Sequence, residues 1–344
     1  MKKITFLRMS SKAIGGAEIY LSRLINTLEN KGIKCEIKNL NAPKFLSSWI
    51  KALIYNLQVK LSKNDNFYFS LERVSSADIY RAGDGVHKVY MKSKKFWFLN
   101  PLNFVIPALE KRCFLNSKKI IANSNFIKQQ IIDVYNINEN KIEVIYNGVK
   151  LQEDFNKTDA KQELCKELKL DEKIPIILFV GSGFKRKGAK ELLNLLSKIK
   201  SNFQAIIIGK DKNLNSYISL AKSLNLEDRV KFLGARKDVD KFYKISDILI
   251  FPTHYEPFSN VVLEALSFKN AVITTAQNGA GEILKKEFVM SSANDENILN
   301  LLEKLLNEKE FLTSIQNDNF NLAKNFSIEK NAEKTLEIIN ANLH

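Results

Sequence analysis

The sequence alternates short apolar segments with amphipathic ones in two successive series, and this alternation limits the possible folds more than any other feature. The first series runs from an apolar segment at 4–9, through the glycine pair Gly15-Gly16 and a helical pattern, to a second apolar segment at 34–40. A strand, a helix and a second strand in this order predict a parallel sheet. The second series opens at 174–181 with IPIILFVG, which predicts a strand buried on both faces.

A polar, charge-rich segment at 150–172 separates the two series. At ~100–200 residues per domain, 344 residues suffice for two domains. We therefore expect an α/β protein with domains at 1–160 and 161–325, and a C-terminal helix at 326–344 that packs back on the first. Two parallel sheets leave a cleft between the carboxyl ends of their strands, where ligands of this architecture bind.

Several classes of protein are disfavoured by motifs that the sequence lacks. No GxGxxG follows the first strand and no GxxxxGK[ST] occurs, which argues against a Rossmann dehydrogenase and a P-loop NTPase. Three histidines in all (His87, His254 and His344) exclude a histidine-rich metal site, and the three widely spaced cysteines are typical of a reducing compartment. No segment approaches ~18 uninterrupted apolar residues. We therefore expect a cytoplasmic protein.

The net charge of +15 is concentrated in the first half of the chain. Residues 1–160 hold 26 Lys and Arg against 14 Asp and Glu, a net charge of +12, which leaves +3 for the rest. An excess of this kind indicates an anionic partner such as nucleic acid, a phosphate-rich lipid or a phosphorylated glycan. A lysine-rich composition of the whole protein would also account for part of it.

The segment EPFSNVVLE at 256–264 follows the apolar segment ILIFP. Pro257 can open a helix at its first turn, which would leave the amides of three residues as free donors for a diphosphate: Phe258, Ser259 and Asn260. Glu256 can reach a sugar hydroxyl, and Glu264 can accept two hydrogen bonds from the vicinal diol of a ribose. The two glutamates could instead be surface charges that complement the helix dipole.

A second segment, VGSGFKRKG at 180–188, places cations at the carboxyl edge of a predicted sheet. Its glycines allow a tight turn, and Lys185, Arg186 and Lys187 could bind a pyrophosphate and neutralise a leaving group. A solvated basic turn is the alternative. In a third segment, ADIYRAGDGVHKVY, either Asp84 or His87 could orient an acceptor hydroxyl.

The chain resembles the family 4 glycosyltransferases, which have the GT-B fold of two Rossmann-like α/β domains facing a central cleft. The resemblance rests on the Gly15-Gly16 pair, the KRKG turn at 185–188, the segment VKFLGARKDVDKFYKISDILIFPTHYE at 230–256 and the pair Glu256/Glu264. Among members of this family, the chain is most similar to the lipopolysaccharide-core glucosyltransferases that act on inner-core heptose, on the compact VGSGFKRKG turn and the IYRAGDGVH segment.

The resemblance implies a role for each matching residue. Those on the donor diphosphate and nucleotide would be Gly15, Gly16, Ser182, Arg186, Lys187, Arg236, the three amides at 258–260 and Glu264. Ser182 stands where the family has an arginine, and Arg186 is the candidate to replace its charge. Glu256 would bind the donor sugar, and Asp84 or His87 would be the catalytic residue on the acceptor side. The family retains anomeric configuration and needs no cofactor and no metal.

The resemblance implies a retaining hexosyltransferase that moves a hexose, with glucose the first candidate, from a UDP-sugar to the inner core of lipopolysaccharide or lipooligosaccharide. Lysines and aromatic residues at 43–63 and 88–119 predict that it docks on the anionic cytoplasmic face of the inner membrane. The alternatives are transfer to another membrane-associated glycan (a lipid-linked oligosaccharide or capsule), a UDP-sugar epimerase and a basic nucleic-acid-binding protein. We expect no nucleic-acid partner, because the aromatic residues at 96–104 lie among apolar ones.

Overall fold

The computed structural model describes residues 3–10, 16–63, 66–92, 96–152 and 155–343. The chain divides into two compact units: unit 1 is Met1–Gly148 with Ile328–His344, and unit 2 is Val149–Ser327. The boundary therefore lies at 148/149 and not at 160/161. The reason is that the helix Lys157–Leu168 belongs wholly to unit 2, where Lys157 donates to the carbonyl oxygen of Ser246 at 2.5 Å.

Unit 1 contains a parallel sheet in the order β2-β1-β3-β4-β5-β6. Its strands are β1 (Ile4–Leu7), β2 (Cys35–Lys38), β3 (Phe67–Ser70), β4 (Ile79–Ala82), β5 (Lys119–Ala122) and β6 (Ile142–Val144). Its α-helices are α1 (Gly16–Asn30), α2 (Ser48–Leu61), α3 (His87–Lys92), α4 (Leu102–Asn116), α5 (Asn125–Tyr135) and α14 (Ile328–Ala341). Buried residues of α1, β1, β3 and α14 share one apolar core, so the C-terminal helix is part of unit 1.

Unit 2 contains a second parallel sheet, in the order β12-β11-β10-β7-β8-β9. Its strands are β7 (Ile176–Val180), β8 (Gln204–Ile208), β9 (Val230–Gly234), β10 (Ile248–Phe251), β11 (Ala271–Thr275) and β12 (Val289–Met290). Its α-helices are α6 (Lys157–Leu168), α7 (Phe184–Lys187), α8 (Ala189–Leu196), α9 (Leu214–Ser223), α10 (Val239–Ile245), α11 (Asn260–Ser267), α12 (Leu299–Asn307) and α13 (Lys309–Ala323). As its apolar sequence predicts, β7 is almost wholly buried.

The order of each sheet decides which loops meet. Strands β7 and β10 are neighbours in unit 2, and so are β4, β5 and β6 in unit 1. Because all the strands within a sheet are parallel, the loops at their carboxyl ends lie along one edge. The donor-side candidates at 180–188 and 256–264 therefore lie at this edge of the sheet in unit 2, and Asp84 and His87 lie at the corresponding edge in unit 1. No helix in the described part of the chain is long and apolar enough to cross a membrane.

Candidate active site

Two loops at the carboxyl edge of the sheet in unit 2 bring the predicted site residues together. One loop joins β7 to α8 through the short helix α7, and the other joins β10 to α11. The backbone carbonyl oxygen of Arg186 accepts a hydrogen bond from the amide of His254 at 2.9 Å and from Oγ1 of Thr253 at 3.0 Å. These bonds fix the basic turn against the loop that carries Glu256.

Gly188 packs directly against the loop that follows β10. Its φ of +83° lies in the left-handed region, and a Cβ placed there would be 1.8 Å from the carbonyl oxygen of Pro252. Only glycine satisfies both conditions without displacing the backbone. The glycine after the three cations is thus required by the contact between the loops.

Glu256 forms ion pairs with both Arg186 and Lys187 through one carboxylate oxygen. Nη1 of Arg186 lies 2.5 Å from Oε2 of Glu256 and 2.9 Å from the carbonyl oxygen of Tyr255, and Nζ of Lys187 donates to the same carboxylate oxygen. The Lys187 ammonium also lies 4.9 Å from the ring centre of Phe251. The side chains of Glu256 and Lys187 are 16% and 12% exposed, so water screens this pair only weakly.

The electrostatics of this cluster favour an anionic ligand. Burial raises the pKa of the Glu256 carboxyl, but Lys187 and Arg186 outweigh it and hold the pKa below its usual value. Burial lowers the pKa of Lys187, and Glu256 opposes that shift. With Glu256 ionised and both bases protonated, the cluster keeps one positive charge in excess. A diphosphate would neutralise it.

Hydrogen bonds to a third loop hold the backbone of Glu256. Its amide donates to the carbonyl oxygen of Gln277 at 2.9 Å, and its carbonyl oxygen accepts from the amide of Gly279 at 3.0 Å. Glu256 and Asn278 form a short parallel bridge. The carboxylate is thus carried on a backbone fixed from the loop after β11, which limits the positions that it can take.

The expectation of three free amides before α11 is wrong for Ser259. Its amide donates to Oδ1 of Asn278 at 3.1 Å, and Ser259 is 2% exposed. The helix begins at Asn260, three residues after Pro257, so the proline does not occupy its first turn. The sequence reasoning missed Asn278, whose Oδ1 also accepts from the amide of Ala280. The Asn-Gly pair at 278–279, which is typical of a turn, was the available signal.

Three other residues predicted to bind the nucleotide, Glu264, Ser182 and Arg236, form hydrogen bonds with residues outside the Glu256 cluster. On α11, Oε2 of Glu264 accepts from the hydroxyl of Tyr243 at 3.0 Å. In the β7 loop, Oγ of Ser182 accepts from the amide of Lys210 at 3.0 Å. Arg236 follows β9 and forms two hydrogen bonds with Asp238, at 2.9 and 2.8 Å, and none with the Glu256 cluster. Their roles toward a nucleotide stay predictions.

The residues predicted for the acceptor side lie in unit 1. The side chain of Asp84, between two glycines, is 52% exposed and lies 4.0 Å from Arg73. His87 is held more firmly, because its amide donates to the buried carboxylate of Glu110 and its Nε2 lies 2.9 Å from Oδ1 of Asn103. Asp84 is the more accessible of the two candidates.

Only one glycine of the predicted pair Gly15-Gly16 falls among the described residues. Gly16 is the first residue of α1, and Gly15 lies outside the described residues.

Within the described part of the chain, no group of three or more His, Cys, Asp or Glu side chains could hold a metal ion.

The fold and these two loops define a GT-B protein. Residues 160–321 match the family model of the group 1 glycosyl transferases, and residues 65–153 match that of glycosyltransferase family 4. The chain belongs to the family 4 glycosyltransferases, which confirms the resemblance drawn from its motifs.

Two curated relatives indicate the range of proteins similar to this chain. The chain is 30% identical over 188 residues to an uncharacterised glycosyltransferase of Methanocaldococcus jannaschii, over 53% of this chain and 48% of that protein. The chain thus spans about half the length of this relative. It is 24% identical over 314 residues to a Campylobacter jejuni N-acetylgalactosaminyltransferase whose name specifies a diphospho-undecaprenol acceptor, over 90% of this chain and 77% of the relative.

Solved structures match the fold over nearly the whole chain. WaaG, a glycosyltransferase involved in lipopolysaccharide biosynthesis, matches with a TM-score of 0.83 at 19% identity, over 98% of this chain and 99% of WaaG. Anabaena HepE, solved with UDP and glucose, matches with a TM-score of 0.74 at 19% identity, over 99% of this chain and 100% of HepE. At these identities the likeness establishes the fold alone.

Proposed function

We propose that this protein is a retaining glycosyltransferase that moves a hexose, with glucose the first candidate, from a UDP-sugar to the inner core of lipopolysaccharide or lipooligosaccharide. The observation that carries the proposal is the cluster of Arg186, Lys187 and Glu256 at the carboxyl edge of the unit 2 sheet. Two cations that share one carboxylate suit a ligand with both a diphosphate and hydroxyl groups. A nucleotide sugar has both.

The donor binds with its diphosphate on Arg186 and Lys187. In the reaction, the bond from the sugar C1 to the β-phosphate oxygen breaks, and a new bond forms from C1 to the oxygen of an acceptor hydroxyl on the same face of the ring. The hydroxyl passes its proton to the departing phosphate oxygen. Negative charge grows on the departing UDP, where the two cations stabilise it. Glu256, kept ionised by the same cations, accepts hydrogen bonds from the sugar hydroxyls.

Two further assignments complete the proposed mechanism. Asp84, the more accessible of the two acceptor-side candidates, orients the acceptor hydroxyl. No divalent metal takes part, since Arg186 and Lys187 supply the positive charge that a metal would otherwise bring to the diphosphate. HepE, which has the same fold, was solved with UDP, so a protein of this fold can bind UDP.

The proposed acceptor is lipid-linked and anionic, and the protein works on the cytoplasmic face of the inner membrane. The excess of basic residues in the first half of the chain supports an anionic acceptor. The second candidate function is transfer to an undecaprenyl-linked oligosaccharide. It is favoured by the relative from Campylobacter jejuni, which aligns over most of both chains.

Exposed apolar side chains in unit 1 support the membrane docking. On α2, Leu53, Leu57 and Leu61 are 43%, 55% and 77% exposed, so these leucines do not pack into the core of unit 1. A second group of exposed apolar residues consists of Phe96, Phe98, Leu99 and Phe104. Aromatic and leucine side chains beside lysines are typical of surfaces that bind at the level of the lipid headgroups.

A transfer assay with mass detection tests the proposal. UDP-glucose, UDP-galactose, UDP-GlcNAc and GDP-mannose are each offered with heptose-terminated lipooligosaccharide or with an undecaprenyl-diphosphate oligosaccharide, before and after EDTA treatment. We expect a gain of one hexose on the lipooligosaccharide from a UDP-sugar, unchanged by EDTA, with the α-anomeric configuration of the donor kept in the product. Transfer only to the undecaprenyl acceptor would select the second candidate. A requirement for Mn²⁺ or an inverted product would overturn the mechanism.

A further inference from the structure

Unit 1 contains a buried arginine that has no carboxylate partner among the described residues. Arg81, on β4, is 4% exposed. One terminal nitrogen donates to Oδ1 of Asn147 at 2.5 Å, and the guanidinium lies 3.6 Å from the ring centre of Tyr20. Its Nε is buried and has no hydrogen-bond partner within the described part of the chain. The positive charge is therefore held by one neutral amide and one aromatic ring.

Burial of the Arg81 charge without a carboxylate partner destabilises the folded protein. An arginine side chain stays protonated in proteins, so it cannot avoid the cost of burial by losing its charge. A buried charge is normally matched by an opposite one. Two partly buried arginines of unit 1 follow that rule: Arg8 pairs with Glu18 and Glu72, and Arg73 pairs with Glu110.

The neighbours of Arg81 have polar atoms that are also unpartnered. The hydroxyl of Tyr20 and Oδ1 of Asn123 are buried and make no hydrogen bond to any residue that the structure describes. The amide nitrogen of Asn123 donates to the carbonyl oxygen of Gly83 at 3.1 Å. A Cβ on Gly83 would lie 2.2 Å from the guanidinium of Arg81, so the loop backbone packs directly on it. These residues converge at the carboxyl ends of β4 and β5, beside the loop that carries Asp84.

We infer that Arg81, together with Tyr20 and Asn123, binds an anionic group, a phosphate or a carboxylate, carried by the acceptor. The anion accepts hydrogen bonds from Nε of Arg81 and from the hydroxyl of Tyr20, and it supplies the missing negative charge. A hydroxyl on the same ligand donates to Oδ1 of Asn123. Because the guanidinium is buried, the anion reaches it when the loop 83–85 shifts. Assignment of the anion to the acceptor rests on the proposed function, whereas anion binding itself does not.

A titration observed at the arginine side chains tests the anion site directly. The sequence has eight arginines, so ¹⁵N-arginine labelling of the full chain gives a small set of Nε–H signals. Inorganic phosphate and sodium acetate are added at constant ionic strength, and the Arg81 signal is assigned by its loss in Arg81→Lys. We expect this signal to shift and saturate with phosphate, with acetate, or with both. The responding anion separates a phosphorylated acceptor from one with an acidic sugar.

Arg229 provides the matched control, because its guanidinium also lies 3.6 Å from an aromatic ring, that of Phe203, and donates to the carbonyl oxygen of Ser201. Its signal should not respond. If the Arg81 signal responds to neither anion, the site holds buried water only and the inference is wrong. A response equal to that of Arg229 would mean nonspecific binding and would also overturn it.

Kinetics then test whether the anion belongs to the acceptor. Loss of a hydrogen bond to a charged group predicts that Arg81→Gln raises the KM for an anionic acceptor roughly ten- to a hundredfold. The KM for the same acceptor without its anionic group, and the Kd for UDP, should stay unchanged, and Arg229→Gln should change none of these. Partial recovery in Arg81→Lys would exclude a purely structural effect.

The two proposals fail in different ways. An Arg81 signal that shifts with phosphate in a protein that binds no UDP would remove the proposed function and keep the anion site. UDP-dependent transfer with an unresponsive Arg81 signal would do the reverse. A KM effect of Arg81→Gln that is equal for anionic and neutral acceptors would limit Arg81 to positioning the loop and would overturn its role in binding the acceptor.

Discussion

At the scale of single residues, the candidate site depends on the carboxylate of Glu256, which two cations share. In Glu256→Gln the shape of the side chain is kept, but the negative charge that we propose accepts hydrogen bonds from the sugar hydroxyls is lost. We expect kcat to fall about a hundredfold, by comparison with the loss of one preorganised group at other active sites. The affinity for UDP should not fall, because Arg186 and Lys187 lose their internal competitor. Steady-state kinetics and UDP binding measure the two effects separately.

The control for this variant is Glu287→Gln, which removes an exposed carboxylate elsewhere in unit 2. Its kcat should equal that of the wild type. Turnover of Glu256→Gln within a few-fold of the wild type would contradict the role of Glu256 in the reaction.

The same cluster indicates what sequence can predict about individual residues. The positions of Arg186, Lys187 and Glu256 after apolar strands identified them as candidates, because parallel strands present their carboxyl ends on one edge. Their mutual ion pairs could not be predicted, since the lengths and conformations of two separate loops decide them. The role of Asn278 was missed for the same reason, as it acts from a third loop. Its hydrogen bond to the Ser259 amide removes one of the expected free donors.

At the scale of structural elements, the turn between α7 and α8 holds the basic residues in place. We expect Gly188→Ala to destabilise the protein by more than the ~1–2 kcal/mol typical of a left-handed residue that carries a Cβ, because the methyl group would also collide with the carbonyl oxygen of Pro252. Urea unfolding of the full chain measures this as a lower midpoint.

Gly183→Ala is the matched comparison. Gly183 has a similar φ, +77°, but nothing lies within 4 Å of a Cβ placed there. It should show the conformational cost alone. Equal midpoints for the two variants would mean that the backbone after β10 moves away from the methyl group at little cost in free energy. Gly188 would then not fix the two loops together.

The exposed apolar residues of α2 and of the segment 96–104 lead to a prediction about membranes. We expect the protein to sediment with phosphatidylglycerol vesicles, to bind phosphatidylcholine weakly and to be released by high salt, because lysines contribute roughly 1 kcal/mol each near an anionic surface. Phe98→Ser with Leu99→Ser should weaken sedimentation, and so should charge reversal at Lys92, Lys94 and Lys95, the last two of which lie outside the described residues.

Ile218→Ser is the control for the vesicle experiment, because Ile218 is an exposed apolar residue, 44% accessible, on α9 of unit 2. It should sediment like the wild type. All variants should keep their affinity for UDP. Equal sedimentation with neutral and anionic vesicles, or none with either, would contradict docking through this surface.

Elements were predictable where their pattern was long or strongly apolar. The strands around β7 and β10 and the helix α2 follow from their sequences. Strand β3 was missed although it lies between β1 and β4, because FYFS is only four residues long and is buried throughout, so it has no alternation to reveal it. Helix α4 was missed because Pro107 interrupts the helical pattern from inside.

At the scale of the whole molecule, the division into two α/β units could be predicted, and its boundary could not. The polar segment 150–172 suggested a linker and placed the boundary at 160/161, but Lys157 and Lys161 of α6 pair with Asp247, so that helix belongs to unit 2. Ion pairs between residues about 90 positions apart cannot be read from the local pattern of polar and apolar residues. The excess positive charge lies in the first half of the chain, which forms most of unit 1, the unit that contains Arg81 and the exposed apolar residues of α2 and the segment 96–104.

The central claim is that Lys187, on the loop after β7, binds a nucleotide diphosphate. Calorimetric titration of UDP into the wild type, Lys187→Ala and Lys185→Ala tests it most directly, because Lys185 is the exposed neighbour in the same turn. We predict that Lys187→Ala weakens the Kd roughly ten- to a hundredfold, the cost of one hydrogen bond to a charged group, and that Lys185→Ala stays within a few-fold of the wild type. Equal affinities for UDP in all three proteins, or no binding by the wild type, would contradict the account.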